Sequence, residues 1–272
     1  MVTQKKKHEA VLPPEVVSKL LEAAGDRIVL VGGQALSFWI DHFNVSWPIN
    51  LTFVSRDMDF LFPNAADSFE VNRFSKILGG YAIFPSKNAL TALIGQAVLE
   101  ISDDEYYNVD ILHKVLTDTD GVRKRAVLMH FNGKSCKVMH PMDVLASRLI
   151  NLYKLEEKQT ELGVSQLIMA INVMRSYIRM LHEEGGDVRA PVNFISVLAK
   201  TDAGKKVVIR WGVHVADSID VSVAIHSHNF RDIHLPRLKQ FMSDDYFEYM
   251  KNIINQRDIE GESDETKTER AG

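Results

Sequence analysis

Ile28-Val29-Leu30-Val31-Gly32-Gly33-Gln34-Ala35-Leu36 and, further on, Arg56-Asp57-Met58-Asp59-Phe60-Leu61 decide how this chain is read. The first is an apolar strand that runs into a pair of glycines and then into residues with helical spacing. Glycines at such a junction let the backbone come close to a ligand. The helix start behind them offers free N–H groups and the positive end of a dipole. The second stretch places two acids inside an apolar run. Side chains alternate faces along a strand, so Asp57 and Asp59 share one face while Met58 and Phe60 take the other. The two carboxylates then lie about 6.5–7 Å apart at the backbone, close enough to converge on one cation. A third acid repeats the pattern in Asn108-Val109-Asp110-Ile111-Leu112. The reading is one metal-binding face built from Asp57, Asp59 and Asp110, with Gly32 and Gly33 opposite it to receive a phosphate.

Reading outward, Pro13-Pro14 opens a helix that carries Val16, Val17, Leu20, Leu21 and Ala24, and Gly25-Asp26 ends it. Residues 1–12 read as a polar, frayed tail. After the acidic strand at 56–62, a helix is expected over 66–78 with Phe69, Phe74, Ile77 and Leu78 inward. Strands are expected at 81–84, about 97–102, and 106–113. Asn132-Gly133, between two apolar runs, marks a hairpin over 126–139. Asn132-Gly133-Lys134-Ser135 is a hairpin tip rather than a phosphate loop, because Leu128 stands where the upstream glycine is required.

From Pro141 the period becomes helical. A first helix runs through Leu155. A second covers about 162–184, with Leu167, Ile168, Ile171, Met174, Ile178 and Leu181 on one face. Further helices fit 191–200, 203–218 and 236–254. The expected class is α+β, a mixed sheet with flanking helices followed by a helical C-terminal domain. Its parts are an α/β domain at 12–140, a helical domain at 141–255 and a disordered tail at 256–272, which is polar and charged.

Composition narrows the function classes. The 272 residues are 46% hydrophobic and 25% charged, with a net charge of −4. That charge argues against a strongly basic nucleic-acid binder. Cys136 is the single cysteine, so no internal disulfide forms, which fits a reducing, cytoplasmic setting. No apolar run is long enough to span a membrane, and Met1–His8 lacks the apolar stretch of a signal peptide. Lys5-Lys6-Lys7 and Arg123-Lys124-Arg125 read as solvated surface, the second triplet lying between strands where it could meet a nucleic-acid backbone. His226, His228 and His234 have no second Cys or His cluster to complete a transition-metal site.

Three carboxylates from two strands suit Mg²⁺, a hard cation commonly shared with substrate phosphates. Such sites drive phosphoryl-type transfer. Lys154 and Lys158 share a helix face and Arg148 lies on another; each is a candidate contact for a triphosphate or an RNA acceptor.

The order of these motifs resembles the nucleotidyltransferase superfamily, which includes DNA polymerase beta, the tRNA CCA-adding enzymes and the aminoglycoside adenylyltransferases. The pattern is a glycine turn opening a helix, then Asp-x-Asp, then a later strand with one Asp. This chain matches it as Gly32-Gly33, Asp57-Met58-Asp59 and Val109-Asp110-Ile111. Gly-Gly-x-Ala-Leu and His140-Pro141-Met142-Asp143-Val144-Leu145-Ala146-Ser147-Arg148-Leu149 look most like the AbiEii-type toxins of toxin–antitoxin pairs. The resemblance covers roughly 25–155.

It implies a transferase that binds a nucleoside triphosphate such as ATP. Asp57, Asp59 and Asp110 would act in catalysis and hold Mg²⁺. Gly32, Gly33, Gln34, Arg148 and Lys154 would bind the nucleotide. RNA, tRNA included, a protein hydroxyl or a small molecule is the implied acceptor, and an antitoxin-like protein the implied partner. Two positions depart from the pattern. Gln34 stands where relatives carry a phosphate-touching Ser. Glu161-Leu162-Gly163-Val164-Ser165-Gln166 has no Asp where the toxins pair a basic residue with an acid. The alternative reading is a nucleotide- or partner-binding protein on the same fold, with its chemistry reduced.

Overall fold

The computed structural model describes residues 7–46, 55–131, 134–220 and 230–240, together with residue 251. The class is α+β, with a mixed sheet flanked by helices. Val29–Val31 (β2) is buried along its whole length and has strand neighbours on both sides. It pairs antiparallel with Met58–Leu61 (β3) and parallel with Lys134–Val138 (β8). β3 in turn lies parallel to Glu105–Leu112 (β6), whose other side takes Leu93–Glu100 (β5). Tyr81–Ile83 (β4) closes one end and Val127–Phe131 (β7) the other, giving the order β4-β5-β6-β3-β2-β8-β7. β7 and β8 form the hairpin expected from Asn132-Gly133; the two turn residues themselves lie outside the described residues. β5 begins earlier than expected, at Leu93.

Residues 1–12 are not simply a frayed tail. His8–Glu9 (β1) pairs parallel with Glu105 and Tyr106 of β6. Two backbone bonds, His8 N to Asp104 O at 2.6 Å and Ala10 N to Tyr106 O at 2.8 Å, hold it there.

Helices pack on the sheet through their apolar faces. Pro14–Ala24 (α1) buries Leu20, Leu21 and Ala24 and packs against β8. Gly32–His42 (α2) follows β2 directly and buries Ala35, Leu36, Trp39 and Ile40. Ser68–Leu78 (α3) lies on β5, and its Phe74 meets the rings of Phe60 and Phe62 at centroid distances of 5.0 and 5.8 Å. Phe69, expected inward, is 73% exposed. The buried face of α3 runs through Val71, Phe74, Ser75 and Leu78, and a residue two positions before Val71 points to the opposite side of a 3.6-residue turn.

Thr119–Arg125 (α4) is a helix where only a connection was expected. Two members of its basic triplet are nevertheless held by partners rather than left free on the surface. Arg123 donates to the carbonyls of Phe62 and His113 at 2.6 and 2.7 Å, and Arg125 grips Asp143 with two bonds of 3.0 and 2.7 Å. Asp143 sits in the first turn of Pro141–Lys154 (α5). His140 caps that helix by accepting from Met142 N at 3.1 Å.

Trp39 ties α2 to the end of β8: its Nε1 donates to Met139 O at 2.7 Å in the core. Trp39→Phe keeps an aromatic ring but orphans that carbonyl. It is expected to cost about 1–3 kcal/mol, read as a lower urea midpoint with an unchanged slope.

Glu161–Glu183 (α6) follows a 3-10 turn at Glu156–Lys158. On α6, Ile168 is 41% exposed rather than inward. The chain divides into two compact units, Met1–Tyr177 and Ile178–Gly272. The second unit holds Arg189–Lys200 (α7), Asp202–Trp211 (α8) and Leu235–Gln240 (α9). α8 stops at Gly212, which takes a left-handed conformation, and a separate 3-10 turn covers Val215–Ser218, where a single helix over 203–218 was expected. The expected tail at 256–272, His226, His228 and most of the helix at 236–254 lie outside the described residues. No helix among the described residues is long and apolar enough to cross a membrane.

Candidate metal centre

Strand register brings the acids together. Val31, Asp59, Asp110 and Gln96 stand opposite one another across β2, β3, β6 and β5. Asp57 precedes β3 by one residue. Each of Asp57, Asp59 and Asp110 offers a carboxylate oxygen, and these three oxygens lie within 4.8 Å of one another. Three anions so close repel. Burial, then the charges of Asp57 and Asp110, push the Asp59 carboxyl well above its ordinary range. Asp110 is also raised, chiefly by burial. Two amides partly offset this: Gln96 Nε2 and Asn108 Nδ2 both donate to Asp110 Oδ1, at 2.8 and 2.9 Å. Hard oxygen donors in this arrangement fit a divalent cation, whose charge removes the repulsion.

The glycines belong to the same construction. Gly32 has φ +68°, and a Cβ there would stand 1.7 Å from Asp59 Oδ2. A Cβ on Gly33 would stand 2.3 Å from the Cβ of Ser55. The glycine pair thus makes room for an acid and for a hydroxyl. Ser55 Oγ donates to Asp57 Oδ1. Gln34 is placed to hold this corner: its Nε2 donates to Ser55 O at 3.2 Å.

A cleft of about 270 Å³ opens beside the acids, lined among others by Gly32, Gly33, Ser55, Lys114, Arg148 and Lys158. Arg148 is 6% exposed. Its Nη1 donates to Gln166 Oε1 and its Nη2 to Ser147 Oγ, each at 3.3 Å, while its buried Nε has no partner. Burial lowers its proton affinity, and the charges of Asp59 and Asp57 raise it in part. Gln166 lies in the stretch where the toxin pattern has an acid. Its neutral amide adds no negative charge beside the guanidinium, on which the charges of Asp59 and Asp57 act.

Lys154 and Lys158 do not share a helix face. α5 ends at Lys154, Leu155 is extended, and Lys158 sits on the 3-10 turn. Lys158 lines the cleft; Lys154 is exposed and is not among the lining residues. Sequence reasoning missed Ser55 and Lys114, which line the cleft. Neither stands in a recognisable spacing, since each reaches the site through tertiary placement.

No family model matches the chain, and no curated protein matches it. Among solved structures it is similar to the antibiotic-resistance factor ANT(2'')-Ia. The TM-score there is 0.38, with 13% identity over 63% of this chain and 92% of that one. It is also similar to an antigenic nucleotidyltransferase-like protein from Paracoccidioides brasiliensis, with a TM-score of 0.37 and 11% identity over 65% of this chain and 92% of that one. At these scores the likeness adds nothing to what the carboxylates themselves display.

Proposed function

We propose that this chain is a Mg²⁺-dependent nucleotidyltransferase that moves a nucleoside monophosphate from a nucleoside triphosphate, ATP among them, to an acceptor hydroxyl. The observation that carries the reading is the close triad of Asp57, Asp59 and Asp110 beside a cleft with a buried arginine. Asp57 and Asp59 would hold Mg²⁺, with Asp110 completing the set. Bound there, the cation supplies charge stabilisation at the phosphate oxygens.

The protein's own groups do the rest. The N–H groups at the start of α2, at Gly32, Gly33 and Gln34, receive phosphate oxygens. The Arg148 guanidinium, which lines the cleft, attracts the same group by its charge, and Lys114 and Lys158 hold the departing pyrophosphate. Lys154 serves as an outer contact for the polyphosphate or the acceptor. The reading puts the chemistry in the α/β domain of 12–140, with α5 of the helical domain 141–255 lending Arg148. The AbiEii-type pattern rests on the sequence of His140–Leu149, whose Arg148 lines the cleft. With that pattern go RNA, tRNA included, or a protein as the acceptor, and an antitoxin-like partner.

Calorimetry with each of the four nucleoside triphosphates tests the binding half of this reading. Binding is expected to require Mg²⁺. Arg148→Gln is expected to weaken it about 10–100-fold, the worth of roughly 1.5–3 kcal/mol for a charged hydrogen bond. Affinity that is indifferent to Mg²⁺ and to Arg148 would count against the cleft as the triphosphate site.

A further inference from the structure

Asp110 reaches the triad with one of its two oxygens already committed. Gln96 Nε2 donates to Asp110 Oδ1 at 2.8 Å, and Asn108 Nδ2 donates to the same oxygen at 2.9 Å. A carboxylate oxygen offers about two lone-pair positions, so the two amides fill Oδ1 and leave Oδ2 as the oxygen open to a cation. The carboxylate fixes the amides in return, because it only accepts and their NH₂ groups must face it. Gln96 Nε2 also stands 3.5 Å from Asn108 Oδ1, which closes a triangle of side chains. Asp57 is engaged in a lighter way, by Ser55 Oγ on its Oδ1.

Strand register builds this triangle. Asn108 precedes Asp110 by two residues on β6 and so shares its face; it is buried there. Gln96 stands opposite Asp110 on β5, and a register shift between Leu93 and Gly95 puts it there. Had the ladder continued from the Leu93–Leu112 pair, Val109 would oppose Gln96, and the amide would lie on the other face of the sheet. Irregularities of this kind re-aim side chains beside active sites. Neither amide is among the residues that line the cleft, so both act through Asp110 and not on a nucleotide. Both are neutral, so they hold the oxygen without cancelling its charge as a lysine or arginine would.

We propose that Gln96 and Asn108 are positioning residues that make the aspartate centre select Mg²⁺ over Ca²⁺; this rests on the metal-dependent reading above. Ca²⁺ takes about 6–8 oxygens and readily uses both oxygens of one carboxylate, whereas Mg²⁺ demands an octahedron and keeps positions for water and substrate phosphates. With Oδ1 filled, Asp110 gives a single oxygen. That suits the smaller ion and denies the larger one a bidentate ligand. It also keeps coordination positions open for a triphosphate, which a bidentate carboxylate would occupy.

The test measures Mg²⁺ and Ca²⁺ affinity by calorimetry, each metal alone, on wild type, Gln96→Met, Asn108→Leu and Gly79→Ala. The first two substitutions keep roughly the side-chain volume and remove the donor. Wild type is expected to prefer Mg²⁺. Each amide variant is expected to weaken Mg²⁺ about 10–100-fold while Ca²⁺ binding holds or tightens, so the ratio of the two affinities falls about tenfold or more. Gly79→Ala, strained at the end of α3 with open space around its Cβ position, should keep the wild-type ratio. A ratio unchanged in the amide variants overturns the proposal and leaves the metal-dependent reading standing. Equal losses for both cations, or a wild type without preference for Mg²⁺, overturn it in the same way. If one amide variant does not fold, the other decides by the same ratio. A wild type that binds neither cation overturns both readings.

Discussion

Asp59→Asn is expected to abolish nucleotidyl transfer, by about 10²–10³-fold or more, and at the same time to raise the melting temperature of the metal-free protein. The first effect follows from removing a central carboxylate of the triad. The second follows from linkage. Asp59's carboxyl is held above its unfolded value by burial and by Asp57 and Asp110. Stability from such a group is fully present below the unfolded pKa, near about 3.9, and is lost as pH rises through the folded pKa. At neutral pH the metal-free wild type therefore carries a charge penalty that asparagine lacks. Each tenfold in proton affinity is worth about 1.4 kcal/mol, and each kcal/mol moves the melting point of a chain this size by about 2–4 °C. Adding Mg²⁺ should raise the wild-type melting point and leave the variant nearly unmoved. A variant that melts lower than wild type without metal, or that gains as much from Mg²⁺, would contradict the crowded-carboxylate picture.

The second large effect is at Gly32. Gly32→Ala combines two penalties that a pair of variants can separate. A left-handed φ of +68° costs a non-glycine residue about 1–2 kcal/mol. The new Cβ would also stand 1.7 Å from Asp59 Oδ2, so the carboxylate must swing away. A displacement of that order costs about 10²-fold in rate. Gly79→Ala supplies the control. Gly79 has φ +81° at the end of α3, but open space surrounds its Cβ position. Both variants should lose stability in urea titrations, Gly32→Ala the more because of its clash, while only Gly32→Ala loses transfer and Mg²⁺ stabilisation. Equal activities in the two would mean that the close approach to Asp59 has no part in the chemistry.

The acids were legible because strand alternation is a local rule. An Asp-x-Asp among large apolar residues, repeated by Asp110, leaves few places for the charges except one shared face. The glycine turn was legible for the same reason, since it sits between a strand and a helix with clear patterns. What stayed hidden depends on tertiary approach. Ser55 reaches the site only because Gly33 has no side chain, and the intervening residues carry no pattern that places it. β1 has two residues, too few for alternation to register. Arg123 and Arg125 form one charged triplet with Lys124 in the sequence, yet two carbonyls and Asp143 claim the pair. Lys158 and Lys154 keep helical spacing across a helix end that only the extended Leu155 reveals.

The measurement that tests the central claim most directly uses two labels. The purified protein is incubated with Mg²⁺, total RNA and its own cell extract, once with each nucleoside triphosphate labelled at the α-phosphate and once at the γ-phosphate, beside Asp57→Ala/Asp59→Ala. Transfer of the α-label but not the γ-label to an acceptor, lost in the double variant, is the predicted result. Transfer of the γ-label instead would make the chain a phosphoryl transferase. Nucleotide bound with neither label transferred would leave a binding protein on this fold, and the proposed chemistry would be wrong.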